Sequence, residues 1–361
     1  MTDKKIEERV DFLRALLDEP GPSGFEVRPA RVWRQEAERF ASRVWTDVHG
    51  NAFAAVGEER RPRVMLAGHM DEIGLQVTHI DEKGFLYFDG IGGWDSQVLV
   101  GQRTRILGTE GDVPAVIGKK PIHLMKEADR KKVSEIRDLW LDIGASSRDQ
   151  VAEMGVRVGD PVVLASGFVQ LAGDKIASRA IDNRVGAYVV LEALRHLAEE
   201  PAPHAGAVAV GTVQEEIGYT GGGARNSAFQ LEPDAALVVD VTFATDVPEA
   251  DPKEVGEHKL GGGPVLSRGS ANHPLLLDRL VAVAESEKIP YTLQAAPRTT
   301  RTDADGIFLV GAGVPTAVIS IPNRYMHSPS EMVSLADLDW TARLLAGFIR
   351  SLEADTSFIQ G

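Results

Sequence analysis

The sequence contains no cysteine. Disulfides, thiol nucleophiles, zinc fingers and iron–sulfur clusters are excluded with it. Long apolar runs are missing too, and none approaches the roughly 20 residues that a membrane span needs. The opening stretch MTDKKIEERVD is charged and holds no apolar core, so no secretory signal is expected and a cytoplasmic location is. Positive charge is in short supply: 39 Lys and Arg stand against 53 Asp and Glu, a net charge of -14. Such a chain repels phosphate backbones, which argues against nucleic acid as a partner. Histidine is scarce at nine residues, so a metal site must be assembled from these few together with Asp and Glu. Three familiar catalytic signatures are absent: HExxH, a P-loop (Gly118-Lys119-Lys120 lacks the Ser/Thr and the spacing) and the GxSxG elbow.

What is present reads as a folded α/β protein. The chain has 361 residues with 43% hydrophobic and 25% charged, so it is neither disordered nor small, and two domains or one domain with a large insertion are expected. Ile6, Val10, Leu13 and Leu17 share one helical face. PGPSGFE at 20–26 breaks that helix, a second is expected over 27–43, and WTDVHGNAFAAVG reads as strand, turn, strand. Apolar runs at 63–68, 205–214, 235–240 and 314–321 suit strands buried on both faces. Helical patterns at 184–200 and 274–288 lie between them, which predicts a largely parallel sheet flanked by helices. Residues 72–172 differ: short strand-like pieces separated by Gly, Asp and Pro predict a small all-β domain inserted into an α/β domain formed by 1–71 and 173–361. Its charged run at 126–138 reads as a solvated helix or loop, and the glycine runs at 221–223 and 261–263 as turns, the first close enough to Glu216 to line a site.

The chemistry is expected where the four apolar strands finish. The first leads into His69 and Asp71, the second into Glu215 and Glu216, the third ends on Asp240, and the fourth leads into His327. Ligands in open α/β sheets bind beyond such strand ends. Carboxylates converging there would repel one another unless a cation lay among them, and a two-metal site resolves the conflict. Each residue alone has a plainer reading. His69-x-Asp71 could be a simple pair on one face of an extended chain, Glu215-Glu216 two solvated residues, Asp240 a strand-end residue, and His327 a loop histidine. Asp182, in SRAIDNRVG, taken alone reads as the N-cap of the helix beginning near Arg184. His49, His79, His123, His196, His204, His258 and His273 lack the strand-end context.

A series of motifs now matches a known family nearly end to end: PGPSGFE (20–26), DVHGN (47–51), GHMDEIGLQV (68–77), ASRAIDNRVG (177–186), VQEEIGYTGG (213–222), DVTFATDVP (240–248), LGGGPVL (260–266), TDADGI (302–307) and RYMHSPSEMV (324–333). The chain resembles metallopeptidase family 42, the glutamyl, deblocking and tetrahedral (TET) aminopeptidases. The resemblance implies a di-zinc exopeptidase fold and two divalent metal ions per subunit, Zn²⁺ or Co²⁺ with Mn²⁺ as a further option. It implies that His69 and Asp240 bind the first metal, that Asp182 bridges, and that Glu216 and His327 bind the second. Glu215 is then the general base, and Asp71 orients His69. It further implies short peptides as substrates, an inserted β-domain that mediates subunit contacts, and a dodecamer built from dimers. The segment TTRTD at 299–303 departs from the family's commoner Gly-rich approach to Thr-Asp and is expected near the substrate amine or specificity pocket. The leading expectation is a metal-dependent aminopeptidase. A related di-metal deacylase or carboxypeptidase is the alternative, separable by the need for a free N-terminus. A non-catalytic scaffold would have lost a ligand, and a metal-free carbohydrate hydrolase would ignore chelators.

Overall fold

The structure is a computed structural model that describes residues 3–218 and 222–360, with the side chains of 3–6 and 129 left aside. Tyr219, Thr220 and Gly221, part of the VQEEIGYTGG motif and of the glycine run 221–223, lie outside the described residues.

Two helices, Asp3–Asp18 and Val27–Ala37, come first, and three strands follow: β1 (Arg43–Thr46), β2 (Ala52–Val56) and β3 (Arg63–His69). The chain then builds β4 (Gly74–Ile80), β5 (Leu86–Ile91), β6 (Arg103–Gly108), β7 (Gly111–Lys119), β8 (Leu139–Asp142) and β9 (Pro161–Leu164), which close into a barrel. Alternation along β7, where Val113, Ala115 and Ile117 point inward, fills that barrel with its own apolar core. Two short strands follow, β10 (Val169–Gln170) and β11 (Lys175–Ser178). The remaining strands are β12 (Gly206–Thr212), β13 (Ala235–Phe243), β14 (Val265–Arg268), β15 (Thr292–Ala295), β16 (Thr316–Asn323) and β17 (Glu331–Ser334). The large sheet runs β1-β2-β12-β3-β13-β16-β14-β15, and β11 joins β10 and β17 in a smaller sheet.

The four apolar runs are β3, β12, β13 and β16, adjacent and mutually parallel in the centre of the large sheet. All seven residues of β12 are buried, as the unbroken apolar composition requires of a strand covered on both faces. The helices Ile181–Glu199 and Leu335–Arg350 cover one face, and Gly222–Leu231 and Ala304–Ile307 the other. Gly68 lets a helix lie directly on the sheet: a Cβ there would sit 2.5 Å from the Gly186 carbonyl carbon. The expected α/β class and the separate small β unit are both present.

Several local expectations change. The second helix ends at Ala37 because Trp33 and Ala37 finish its buried face and the backbone then pairs with β2 from Ser42 onward. Asp240 is not terminal: β13 runs on to Phe243 because β16 pairs with it through Asn323. The run at 126–138 agrees with its expectation: it is loop with two single-turn 3-10 helices, Glu127–Asp129 and Ile136–Asp138. Gly222 and Gly223 open a helix instead of a turn, whereas Gly261 and Gly263 do form one, donating both N–H groups to Asp337 at 2.8 Å.

Candidate metal centre

His69 is the last residue of β3, only 2% exposed, and its ring is held between carboxylates. Its Nδ1 faces Asp71 Oδ1 at 3.3 Å, and its Nε2 lies 3.3 Å from Asp182 Oδ1, 3.8 Å from Glu215 Oε2 and 3.9 Å from Asp240 Oδ1. His327 stands in a turn beyond β16 with its Nε2 3.4 Å from Asp182 Oδ2 and 3.5 Å from Glu216 Oε2. Its Nδ1 lies 3.0 Å from the carbonyl of Gly93, in the loop after β5 of the barrel. A carbonyl only accepts, so Nδ1 carries a proton, and Nε2 is the ring atom turned toward the carboxylates. Asp182 thus sends one oxygen to each histidine. The structure brings together all seven residues singled out in the sequence.

Local chemistry explains how each side chain arrives. Asp182 does not cap the helix that follows it. Asn183 does, its Oδ1 accepting the Gly186 N–H at 3.0 Å while its Nδ2 donates to the Val239 carbonyl at 2.8 Å, which frees Asp182 to face the histidines. Glu215 and Glu216 are neighbours, and in a straight strand they would point to opposite faces. Gln214 adopts a left-handed φ of 61° and the chain turns, with the Glu215 and Glu216 N–H groups donating to the two oxygens of Asp71 at 3.2 and 3.1 Å. Ser23 Oγ also donates to Asp71, so the PGPSGFE loop packs directly behind the site.

Electrostatically the cluster is frustrated. Burial pushes Asp240 well above the ordinary carboxylate range; His69 opposes this and Asp182 adds to it. Burial does the same to Glu215, again opposed by His69, and to Glu216, where Asp182 adds to it. Asp182 goes the other way: burial resists, but hydrogen bonds from His327 and His69 hold it low. The Asp182 and Glu216 carboxylates push His327 up to about 11. His69 rises as well, burial notwithstanding, because Asp182 and Asp71 outweigh it. Glu216 Oε1 is buried with no hydrogen-bond partner among the described residues. So many buried acids around two imidazoles need positive charge, and protons on the histidines supply only part of it. His69, Asp182 and Glu216 each offer one ligand atom within 4.8 Å of the others, a donor set that fits a divalent cation.

Three buried carboxylates escaped the sequence reading. Glu331 accepts the N–H groups of both Asp182 and His327. Asp303 is 2% exposed and accepts from Thr212 Oγ1, with burial raising it to about 6. Glu26 accepts the Gln214 N–H at 3.1 Å and is raised to about 7 by burial and by Asp71. All three lie inside quoted motifs, so position was legible and role was not. A cavity of about 850 Å³ opens onto Glu215 and Glu216, and Thr299, Arg301, Thr302 and Asp303 line it, as does Gly92 from the barrel. The divergent segment 299–303 therefore forms a wall of the space beside the site.

Residues 50–344 match the family model described as M42 glutamyl aminopeptidase. The chain belongs to the M42 peptidase family. It is 36% identical to the lysyl aminopeptidase of Pyrococcus furiosus over 95% of this chain and 97% of that one. Among solved structures, a TET aminopeptidase from a marine sediment archaeon of the Thaumarchaeota superposes with a TM-score of 0.91 at 36% identity, covering 97% of this chain and 98% of that one. The TET1 peptidase of Pyrococcus horikoshii, described as assembling into a tetrahedron or a large octahedral shell, gives 0.84 at 30% identity over 95% and 100% of the two chains. This M42 chain is accordingly a metal-dependent aminopeptidase, a hydrolase of peptide bonds that works with divalent metal. No helix among its described residues is long and apolar enough to cross a membrane.

Proposed function

We propose that this M42 aminopeptidase removes N-terminal residues from short peptides with two divalent ions per subunit, Zn²⁺ or Co²⁺ with Mn²⁺ acceptable. His69 and Asp240 would hold the first ion, Glu216 and His327 the second, with Asp182 shared between them. One observation carries the reading: the two oxygens of Asp182 point to two different histidines, 3.3 Å from His69 and 3.4 Å from His327. When bound, such ions acidify a water and polarise the scissile carbonyl. Glu215, which is not needed as a ligand, takes the proton of the attacking water and delivers it to the leaving amine. Asp71 orients His69 through Nδ1 and holds the backbone of both glutamates. The cavity wall at 299–303 would receive the side chain of the residue released.

The barrel belongs to the same proposal. Residues 72–172 would form the inserted unit, whose outer face pairs subunits into dimers, and the dimers would build a dodecamer. The TET1 likeness supports large assemblies. A cytoplasmic location is part of the reading; a cysteine-free chain needs no oxidising compartment. The test is a pair of substitutions. Glu215→Gln should keep its metal and lose turnover by roughly 10²–10⁴-fold, the usual contribution of a positioned proton-transfer group. Glu216→Gln should instead weaken binding of one ion. Near-normal turnover in Glu215→Gln, or loss of metal there and not in Glu216→Gln, would reverse the division of labour.

A further inference from the structure

The two halves of the proposed ligand set rest on different kinds of support. His69 and Asp240 sit on central strands, in ladders with Thr212 and Ser320. Glu216 and His327 stand on turns, and Asp182 stands in the non-helical opening of the helix Ile181–Glu199, with φ -74° and ψ 108°. His327 has a left-handed φ of 58°, Tyr325 one of 62° and Ala180, two residues before Asp182, one of 58°. For residues with a Cβ that left-handed conformation is disfavoured and needs holding in place. Asp71 holds the backbone of Glu216. For the other two, a single side chain among the described residues does this. Glu331, 2% exposed, accepts the Asp182 N–H at 3.0 Å on Oε2 and the His327 N–H at 2.9 Å on Oε1. It opens β17 opposite Ser178 of β11, so it lies where the segment leading to Asp182 and the segment leaving His327 run side by side.

We infer that Glu331 is the positioning residue of the second ion site: its carboxylate clamps the backbones of Asp182 and His327 together and keeps both side chains aimed at one point. This rests on the ligand set proposed above. The residue is not one of the proposed ligands and acts through the two backbones. A buried carboxylate with one oxygen on each N–H has no equivalent replacement. Glutamine offers one acceptor and turns an NH₂ toward the other N–H, while aspartate keeps the charge but is too short to span both.

The test uses the full-length, metal-loaded protein. Wild type, Glu331→Gln and Glu331→Asp are dialysed against graded chelator, and the ions retained per chain are counted. The clamp predicts that one ion is lost at roughly 10–100-fold lower chelator strength in both variants, the usual cost of removing a group that orients ligands, while the other, which shares Asp182 but keeps His69 and Asp240 on central strands, is weakened less. A general loss of folding would loosen both ions alike. Equal weakening of both ions, or wild-type retention in either variant, overturns the inference. Crystal structures of the variants read the same point without counting metal. His327 leaving its left-handed conformation supports the clamp, and an unmoved backbone at 182 and 327 overturns it. If wild type itself holds only one ion per chain, the two-ion reading fails, and the crystal structures still decide the clamp.

Discussion

Glu72 offers the sharpest test of what holds the site in place. It follows Asp71 directly, is 2% exposed, and receives the Gly21 N–H at 3.0 Å, the Arg184 Nη2 at 2.8 Å and the Arg179 Nη1. Arg184 is fully buried and spends its other N–H groups on backbone carbonyls, among them Met70 at 3.0 Å and Leu16 at 3.0 Å. These contacts tie the N-terminal helix, the end of β3 and the helix carrying Asp182 into one unit. Glu72→Gln leaves two buried guanidiniums with a neutral partner whose NH₂ can only repel them. Breaking one side of a buried ion network costs about 3–5 kcal/mol. The sign of the pH dependence follows from the carboxyl, which burial pushes up but Arg179 and Arg184 hold below its ordinary value. Its contribution is fully present above the unfolded glutamate value of about 4.3 and is lost as pH falls through the lower folded value. Urea unfolding followed by tryptophan fluorescence, in chelator and at one protomer concentration, is the assay. The variant should lose about 3–5 kcal/mol at pH 7, and the gap should begin to narrow as pH falls below about 4. A gap under about 1 kcal/mol at pH 7, within the range of an exposed pair, would refute the argument.

Three further outcomes are expected. Dialysis against a chelator should abolish peptide cleavage and divalent metal should restore it, with metal analysis approaching two ions per chain; full activity in stripped protein would sink the mechanism. Acetylating the N-terminus of a good peptide substrate should block its hydrolysis, which separates an aminopeptidase from the deacylase or carboxypeptidase that could share the ligand set. Light scattering should give a mass of many chains, twelve on the proposed assembly, and monomer alone at working concentration would remove the barrel's proposed role.

Much of this was legible because burial leaves a compositional trace. The runs at 63–68, 205–214, 235–240 and 314–321 are apolar on both faces, and they form the four parallel central strands. Their polar sequels point to one place, and His69, Glu215, Glu216, Asp240 and His327 do meet there with Asp71 and Asp182. What sequence could not show is long-range partnership. That Asn183 and not Asp182 caps its helix depends on Val239, 56 residues away, which anchors the amide. That Glu331 serves Asp182 depends on β11 and β17 pairing across the fold. The barrel's strands were visible as pieces, but its closure, and the Gly93 carbonyl it offers His327, arise only from tertiary structure.

The same reasoning explains how two adjacent glutamates can be given different work. A regular strand would separate their side chains by its pleat. Here the left-handed Gln214 ends the strand geometry, and its N–H is held by Glu26 Oε1 at 3.1 Å. The next two N–H groups then fall on the two oxygens of one carboxylate, Asp71. As a result Glu215 Oε2 faces His69 at 3.8 Å and Glu216 Oε2 faces His327 at 3.5 Å, so each serves a different histidine. Asp71 also faces His69 Nδ1 at 3.3 Å, which means one buried carboxylate sets the ring of the first histidine and the backbone of both glutamates. A change at Asp71 therefore mixes lost histidine orientation with displacement of both the proposed base and the proposed ligand. The roles of the two glutamates can be separated only at their own side chains, where Glu215→Gln leaves every one of these backbone hydrogen bonds in place.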